Sequence, residues 1–396
     1  MDSAARLTTL STTFACLGLS LAAGCASTTE KDFNAPLPFG ASALLPVEDT
    51  AEWPDLREGY LHREELLVAL ERSISWTTSA YSEQFFPIEG VSHERALRSL
   101  ERFQELLIGC SSASEFEDAL QREFMLYRSA GYDGRGGGVL FTGYYTPILD
   151  GRLAQGDGYH YPLYALPDDL VKGEQGRILG QQTEAGLQPY PGRSAIEASG
   201  LLADRDLELI WFRDPLDSFL AHVNGSAFVR VGDGSLVRFG YAGNNGREYT
   251  SLAKELVRDG ELPVDHSGIP SLPSWAAENP ERVQDYLNRN ERFVFFAPIE
   301  GNPRGSLNLE VEAGRSLATD KSLFPRGALV FVETHTPGAG WRGGPIVRQF
   351  LLDQDTGGAI RTAGRADIYL GIGDEAGAAA GEMKAEGQMY YLFLRD

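Results

Sequence analysis

The chain has 396 residues, more than one hydrophobic core usually organises, so two packed domains are expected. A composition of 42% hydrophobic and 23% charged residues excludes a disordered or fibrous chain, and 45 glycines with 20 prolines favour short strands and many turns. The formal charge of −21, from 56 acidic against 35 basic residues, argues against nucleic acid and anionic head groups as partners and otherwise speaks only to solubility.

In chain order, the first feature is a short apolar stretch, Leu17 to Ala23, which follows Arg6 and runs into Gly24-Cys25. It is shorter than the ~20 residues of a membrane-spanning helix but fits a secretory signal over residues 1–25. Small residues directly before Cys25 resemble a bacterial lipoprotein processing site, with Cys25 as the lipidated first residue of the mature chain. Ala26, where an aspartate would favour inner-membrane retention, points to an outer-membrane anchor facing the periplasm. With Cys16 and Cys25 in the leader, Cys110 is left alone in the body, so no intramolecular disulfide is expected.

Residues 26–55, rich in Thr, Ser, Ala and Pro, read as a tether. Three amphipathic helices should follow. Leu66, Leu67 and Leu70 mark the first, and Ala96, Leu97, Leu100, Phe103 and Leu107 after Ser92 mark the second. Ser114 with Glu117 has the pattern of a capping box opening a third that carries Phe116, Leu120 and Phe124. A glycine-rich break at 131–138 then launches Val139 to Thr146, a strand-like run stopped by Pro147.

From there to about residue 296 the pattern is short strands, with a hairpin from His222-Val223-Asn224-Gly225 and Phe228 to Gly234 around an Asp-Gly turn. Helices are expected near Ser251 to Arg258 and Pro280 to Asn288. The last hundred residues predict strands at Ala328 to Thr334, Val347 to Leu352 and Ala366 to Leu370, a helix from Glu375 to Glu386, and a closing strand from Gln388 to Leu394.

The chemistry is narrowed first by what is missing. There is no HExxH or paired CxxC and the six histidines are scattered, so no metal and no other cofactor is expected. No G-x-S-x-G elbow appears. The run Gly371-Ile372-Gly373-Asp374-Glu375-Ala376 has a dinucleotide-binding form, but too little chain follows it to complete the fold that motif needs. Asp355-Thr356-Gly357 matches the triplet of aspartic proteases, whose chemistry needs two carboxylates sharing a proton, here only through a dimer.

Asp320, Asp355 and Asp367 each sit at a strand end or beside glycine. Asp367, between Ala366 and Ile368-Tyr369, has the apolar setting that raises a carboxyl toward general-acid use. Together with Phe141 to Pro147, Gly240 to Tyr249, Arg292 to Phe296 and Gly371 to Gly377, the run from Asp320 through Asp367 resembles the membrane-bound lytic murein transglycosylase A family over residues 135–394.

That resemblance implies a mainly β chain with helices (α+β). Residues 56–147 would supply a helical segment and the first part of a double-psi β-barrel, residues 148–296 a smaller inserted β domain, and residues 297–396 the rest of the barrel with its three-aspartate region. It implies Asp367 as the catalytic acid, Asp355 beside it in the catalytic set, and Asp320 in support. Thr142, Tyr144, Asn245 and Gly358 would be substrate contacts. The implied partner is the glycan strand of peptidoglycan, with cell-wall synthesis or division complexes as further partners. The rival expectation is a non-catalytic glycan-binding lipoprotein on the same barrel.

Overall fold

The computed structural model describes residues 31–173, 177–203, 205–263, 271–337, 344–357 and 360–395. The proposed lipidation site, Cys25, and the substrate contact expected of Gly358 lie outside the described residues.

Six strands close into a barrel: β1 (Val139–Thr146), β2 (Ser316–Ala318), β3 (Leu329–His335), β4 (Ile346–Asp355), β5 (Arg365–Ile372) and β6 (Lys384–Leu394). Their pairing runs β1-β6-β3-β4-β2-β5 and returns to β1, so the ring has no free edge. Two pairs are parallel, β1 with β5 and β2 with β4, and the others are antiparallel. Closure with these two parallel pairs is consistent with the double-psi barrel expected of the α+β chain.

Alternation along the strands divides the apolar residues between two cores. Phe141, Leu317, Val330, Val332, Leu351, Ala366, Ile368, Met389 and Tyr391 fill one, inside the ring. Leu329, Phe331, Phe350 and Leu352 belong to the other, which Leu66, Leu70, Leu100, Phe103, Leu107, Phe116 and Leu120 of three helices cover. Those helices are Arg63–Thr78, His93–Gly109 and Ala113–Glu123.

Ser92 caps the second helix as expected, its hydroxyl accepting from the Arg95 amide. The third is capped by Ser112 rather than Ser114, because the Ser112 hydroxyl is the one that accepts from the Glu115 amide, while Glu117 accepts from the Leu56 amide. Phe124 opens a strand, Phe124–Ser129, that adds to the outer end of β6. That strand also corrects the expected tether: Leu44–Val47 pairs with it, and Phe33 is buried, so the chain is folded from within the 26–55 stretch.

Pro147 ends β1, and the chain passes into a second sheet before returning to the barrel at β2. That sheet runs, in spatial order, Val294–Pro298, Leu236–Asn244, Ser226–Arg230, Ile148–Arg152, Glu208–Phe212 and Tyr161–Tyr164. A three-stranded sheet, Leu170–Lys172, Ile178–Thr183 and Gly186–Gln188, accompanies it. The expected hairpin forms between Ser226–Arg230 and Leu236–Asn244, but His222 to Asn224 end a helix, Pro215–Asn224, that Gly225 closes at φ 68°. The last helix also stops early, at Glu382, since β6 begins at Lys384 to pair with β1.

Candidate active site

Strand register assembles the site. Asp367 of β5 lies opposite Thr142 of β1 on one side and Ala318 of β2 on the other. A register shift after Leu317 brings Asp355, the last residue of β4, level with Ala318. On the far side of Thr142 stands Lys384 of β6. Asp355, Ala318, Asp367, Thr142 and Lys384 therefore form one row across five strands. Asp355 and Asp367 are two strand spacings apart, about 10 Å between Cα atoms, with Ala318 between them in the row.

Asp367 is held at one oxygen. The Thr142 hydroxyl donates to its Oδ1 at 2.5 Å, and Arg365 Nη2 lies 3.6 Å from the same atom. Its side chain is 20% exposed, enough to be reached from outside. Burial pushes its carboxyl above the usual range, against the lowering pull of Thr142 and Arg365, while the negative charge of Asp355 adds to the rise.

Asp355 is engaged at both oxygens. The amides of Ser306 and Thr356 donate to Oδ1 at 2.7 and 2.8 Å, and the Tyr144 hydroxyl donates to Oδ2 at 2.9 Å. Burial, and then Asp355, hold the Tyr144 phenol well above its ordinary value, so it remains a donor. A carboxylate receiving three donors from its own chain has little capacity left to share a proton with a second carboxylate, which disfavours the chemistry that the D-T-G triplet would otherwise suggest.

The remaining expected residues divide. Thr142 and Tyr144 line the row, but their hydroxyls serve the aspartates rather than standing free for substrate. Asp320 accepts from the amide and hydroxyl of Ser322, closing the turn after β2. Asn245 is a correction. It is 2% exposed, its amide nitrogen donates to the carbonyls of Pro191 and Glu291, and its oxygen accepts from the Phe293 and Arg247 amides, so it braces loops of the second sheet and has no bond left for a sugar.

Sequence reasoning passed over Ala318 and Arg365, and also an ionic network at one end of the barrel interior. Lys321 pairs with Asp353, whose Oδ2 accepts from Thr319 at 2.7 Å and Tyr391 at 2.8 Å. Burial pushes Asp353 up and Lys321 down, each opposed by the other's charge. Thr319 links the network to the row, because its amide donates to the Asp355 carbonyl at 3.1 Å. The one available signal was Asp353 directly after the apolar run Phe350-Leu351-Leu352, where an unpaired charge would not be tolerated.

Known proteins agree with this architecture. Residues 140–297 match the MltA specific insert domain, and residues 315–393 match the 3D domain. The membrane-bound lytic murein transglycosylase A of Escherichia coli strain K12 is 32% identical over 260 residues, covering 65% of this chain and 66% of the relative. The enzyme of that name from Vibrio cholerae serotype O1 is 32% identical over 265 residues, covering 66% of this chain and 67% of its own. The chain thus spans about two thirds of the length of the curated relatives it matches. In three dimensions, the crystal structure of a membrane-bound lytic murein transglycosylase from Agrobacterium tumefaciens superposes with a TM-score of 0.70 at 25% identity, over 89% of this chain and 98% of the other. With a relative 32% identical over two thirds of its length, both domain matches in order and the same fold over 89% of the chain, the chain belongs to the membrane-bound lytic murein transglycosylase A family.

Proposed function

We propose that the protein is a lytic transglycosylase, a cell-envelope enzyme that cleaves the β-1,4 bond between N-acetylmuramic acid and N-acetylglucosamine in peptidoglycan and leaves 1,6-anhydromuramyl ends. The observation that carries this reading is the asymmetry of the row: Asp367 keeps one oxygen free under a raised pKa, whereas Asp355 has both oxygens occupied.

Hydrolysis of a glycoside ordinarily takes two working carboxylates, one as acid and one as base or nucleophile. Here one does both. Protonated Asp367 gives its proton to the bridging oxygen as the bond to N-acetylglucosamine breaks through an oxocarbenium-like state. The resulting carboxylate then takes the proton of the C6 hydroxyl as that oxygen closes on the anomeric carbon. The acid is restored and no water is consumed. Asp355, by fixing Tyr144 and the loop at Ser306, keeps β1 in register beside Asp367.

Residues 1–25 serve as a signal and Cys25 carries the lipid that anchors the enzyme to the outer membrane, facing the periplasm. No helix among the described residues is long and apolar enough to cross a membrane. Residues 148–296 form the inserted domain, and the glycan lies between it and the barrel.

Digestion of purified sacculi in ¹⁸O-labelled water is the test. The expected muropeptides are lighter than lysozyme products by one water and carry no label at the cleaved anomeric carbon. Labelled reducing ends would overturn the reading in favour of hydrolysis.

A further inference from the structure

One feature of the site is not required by single-acid chemistry as such: a guanidinium beside the acid, held by the far N-terminal end of the folded chain. Arg365 Nη2 donates to the Thr142 hydroxyl oxygen at 3.4 Å, and Thr142 in turn donates to Asp367 Oδ1 at 2.5 Å. Arg365 Nη1 donates to Asn34 Oδ1 at 3.3 Å. Asn34 is fixed by its neighbour Phe33, whose carbonyl accepts from the buried Thr362 hydroxyl at 2.7 Å and whose ring packs edge-on against Tyr132 at 5.3 Å. The Arg365 side chain is only 16% exposed, and its two terminal nitrogens, one on Asn34 and one on Thr142, set its direction.

From this geometry we infer that Asn34, Arg365 and Thr142 form a positioning relay that fixes which oxygen of Asp367 carries the proton and how readily it is released and recovered. The inference rests on Asp367 being the acid. The Thr142 oxygen receives from Arg365, which turns its hydrogen toward Oδ1, and the same guanidinium lies against Oδ1, so the proton of the acid is placed on Oδ2, the oxygen left for substrate. After transfer, the guanidinium 3.6 Å away stabilises the carboxylate long enough for it to act as the base. A buried acid without this cation would donate poorly and recover its proton too eagerly.

The groups that face Asp367 are few. Thr142 comes from β1, with Tyr144 two residues on; Asp355 comes from the end of β4; Arg365 and Tyr369 flank it on β5; Lys384 of β6 stands across Thr142. From β2 only Ala318 adjoins it, since Asp320 is bound to Ser322 and Lys321 to Asp353. Arg365 is the cation in direct reach of the carboxyl. An opposite charge at this distance typically moves a carboxyl by one to three pH units, and partial exposure favours the lower end.

The test is a ¹³C titration of the Asp367 carboxyl in the full-length protein in detergent micelles, the resonance being identified by its loss in Asp367→Asn. Arg365→Gln should raise the midpoint by about one pH unit, a tenfold change in the ratio of protonated to ionised acid. The alkaline limb of the kcat profile on soluble glycan strands should rise with it. Arg365→Lys should recover most of the shift, and Thr142→Val should raise the midpoint independently, which keeps the inference testable if one variant fails to fold. Asn34→Ala should move it in the same direction by less. A folded Arg365→Gln whose midpoint equals that of the unchanged protein would overturn the relay. If the midpoint moves but Asp367→Asn remains active, the relay stands and the assignment of the acid fails instead.

Discussion

The barrel and the second sheet both bury polar side chains, but to different ends. In the second sheet, Asn245 spends all its hydrogen bonds on backbone groups, two donated and two accepted. In the barrel, the buried network of Lys321 and Asp353 supports a row in which one carboxyl is left half free. Complete satisfaction marks a residue as structural. A polar group left one bond short, in reach of solvent, marks the place where a ligand can complete it.

The carboxyl left half free is the most sensitive position in the molecule. Asp367→Asn should remove about 10²–10⁴-fold of glycan-cleaving rate, the usual contribution of a general acid, with circular dichroism unchanged. Asp355→Asn should cost less, because it disturbs Tyr144 and the Ser306 loop rather than the proton itself. Equal or reversed losses in folded variants would invert the two roles.

The barrel network comes next. Lys321→Met leaves Asp353 buried without its partner and should destabilise the fold by about 3–5 kcal/mol in denaturant unfolding, whereas the double replacement Lys321→Met with Asp353→Leu should recover most of that loss. A single variant as stable as the parent would mean the pair is hydrated and does not brace the row.

In the second sheet, Asn245→Ala should cost about 1–3 kcal/mol through unpaired backbone groups while changing kcat on short glycans little. A large kcat loss with intact stability would return Asn245 to the substrate.

The smallest effect concerns pH. Because the folded pKa of Asp367 is raised, its protonated form persists to higher pH than that of a free aspartate, and rate should fall as pH climbs through that value. The same sign applies to stability: ionising the buried acid costs folding energy, lost as pH rises, so Asp367→Asn should unfold at slightly higher temperature than the parent at neutral pH. A lower melting temperature would show that Arg365 overcompensates burial.

Asp367 was legible because an aspartate inside an apolar strand pattern has few explanations, and Ser92 because capping is local chemistry. Ala318 was not legible: its importance is its smallness at a register position set by two partner strands far away in sequence. Arg365, at the start of a strand, looks like any edge charge until β5 is paired with β1. Asn245 misled for the reverse reason, since Asn-Asn-Gly describes an exposed turn equally well, and only the packing of Pro191, Glu291 and Phe293 around it shows otherwise. The tether was misjudged because a strand of four residues, Leu44–Val47, carries too little periodicity to announce itself.

The row across the barrel also bears on how such a protein can change over generations. Its alignment is kept by backbone ladders, so most side chains around it can be exchanged without moving the two aspartates. Slipping any contributing strand by one residue, however, turns its side chains to the opposite face. A gained or lost codon within Ser316–Ala318 or Arg365–Ile372 would therefore erase the site while a dozen conservative exchanges nearby left it intact, and length variation should be confined to the connecting loops and the inserted sheet.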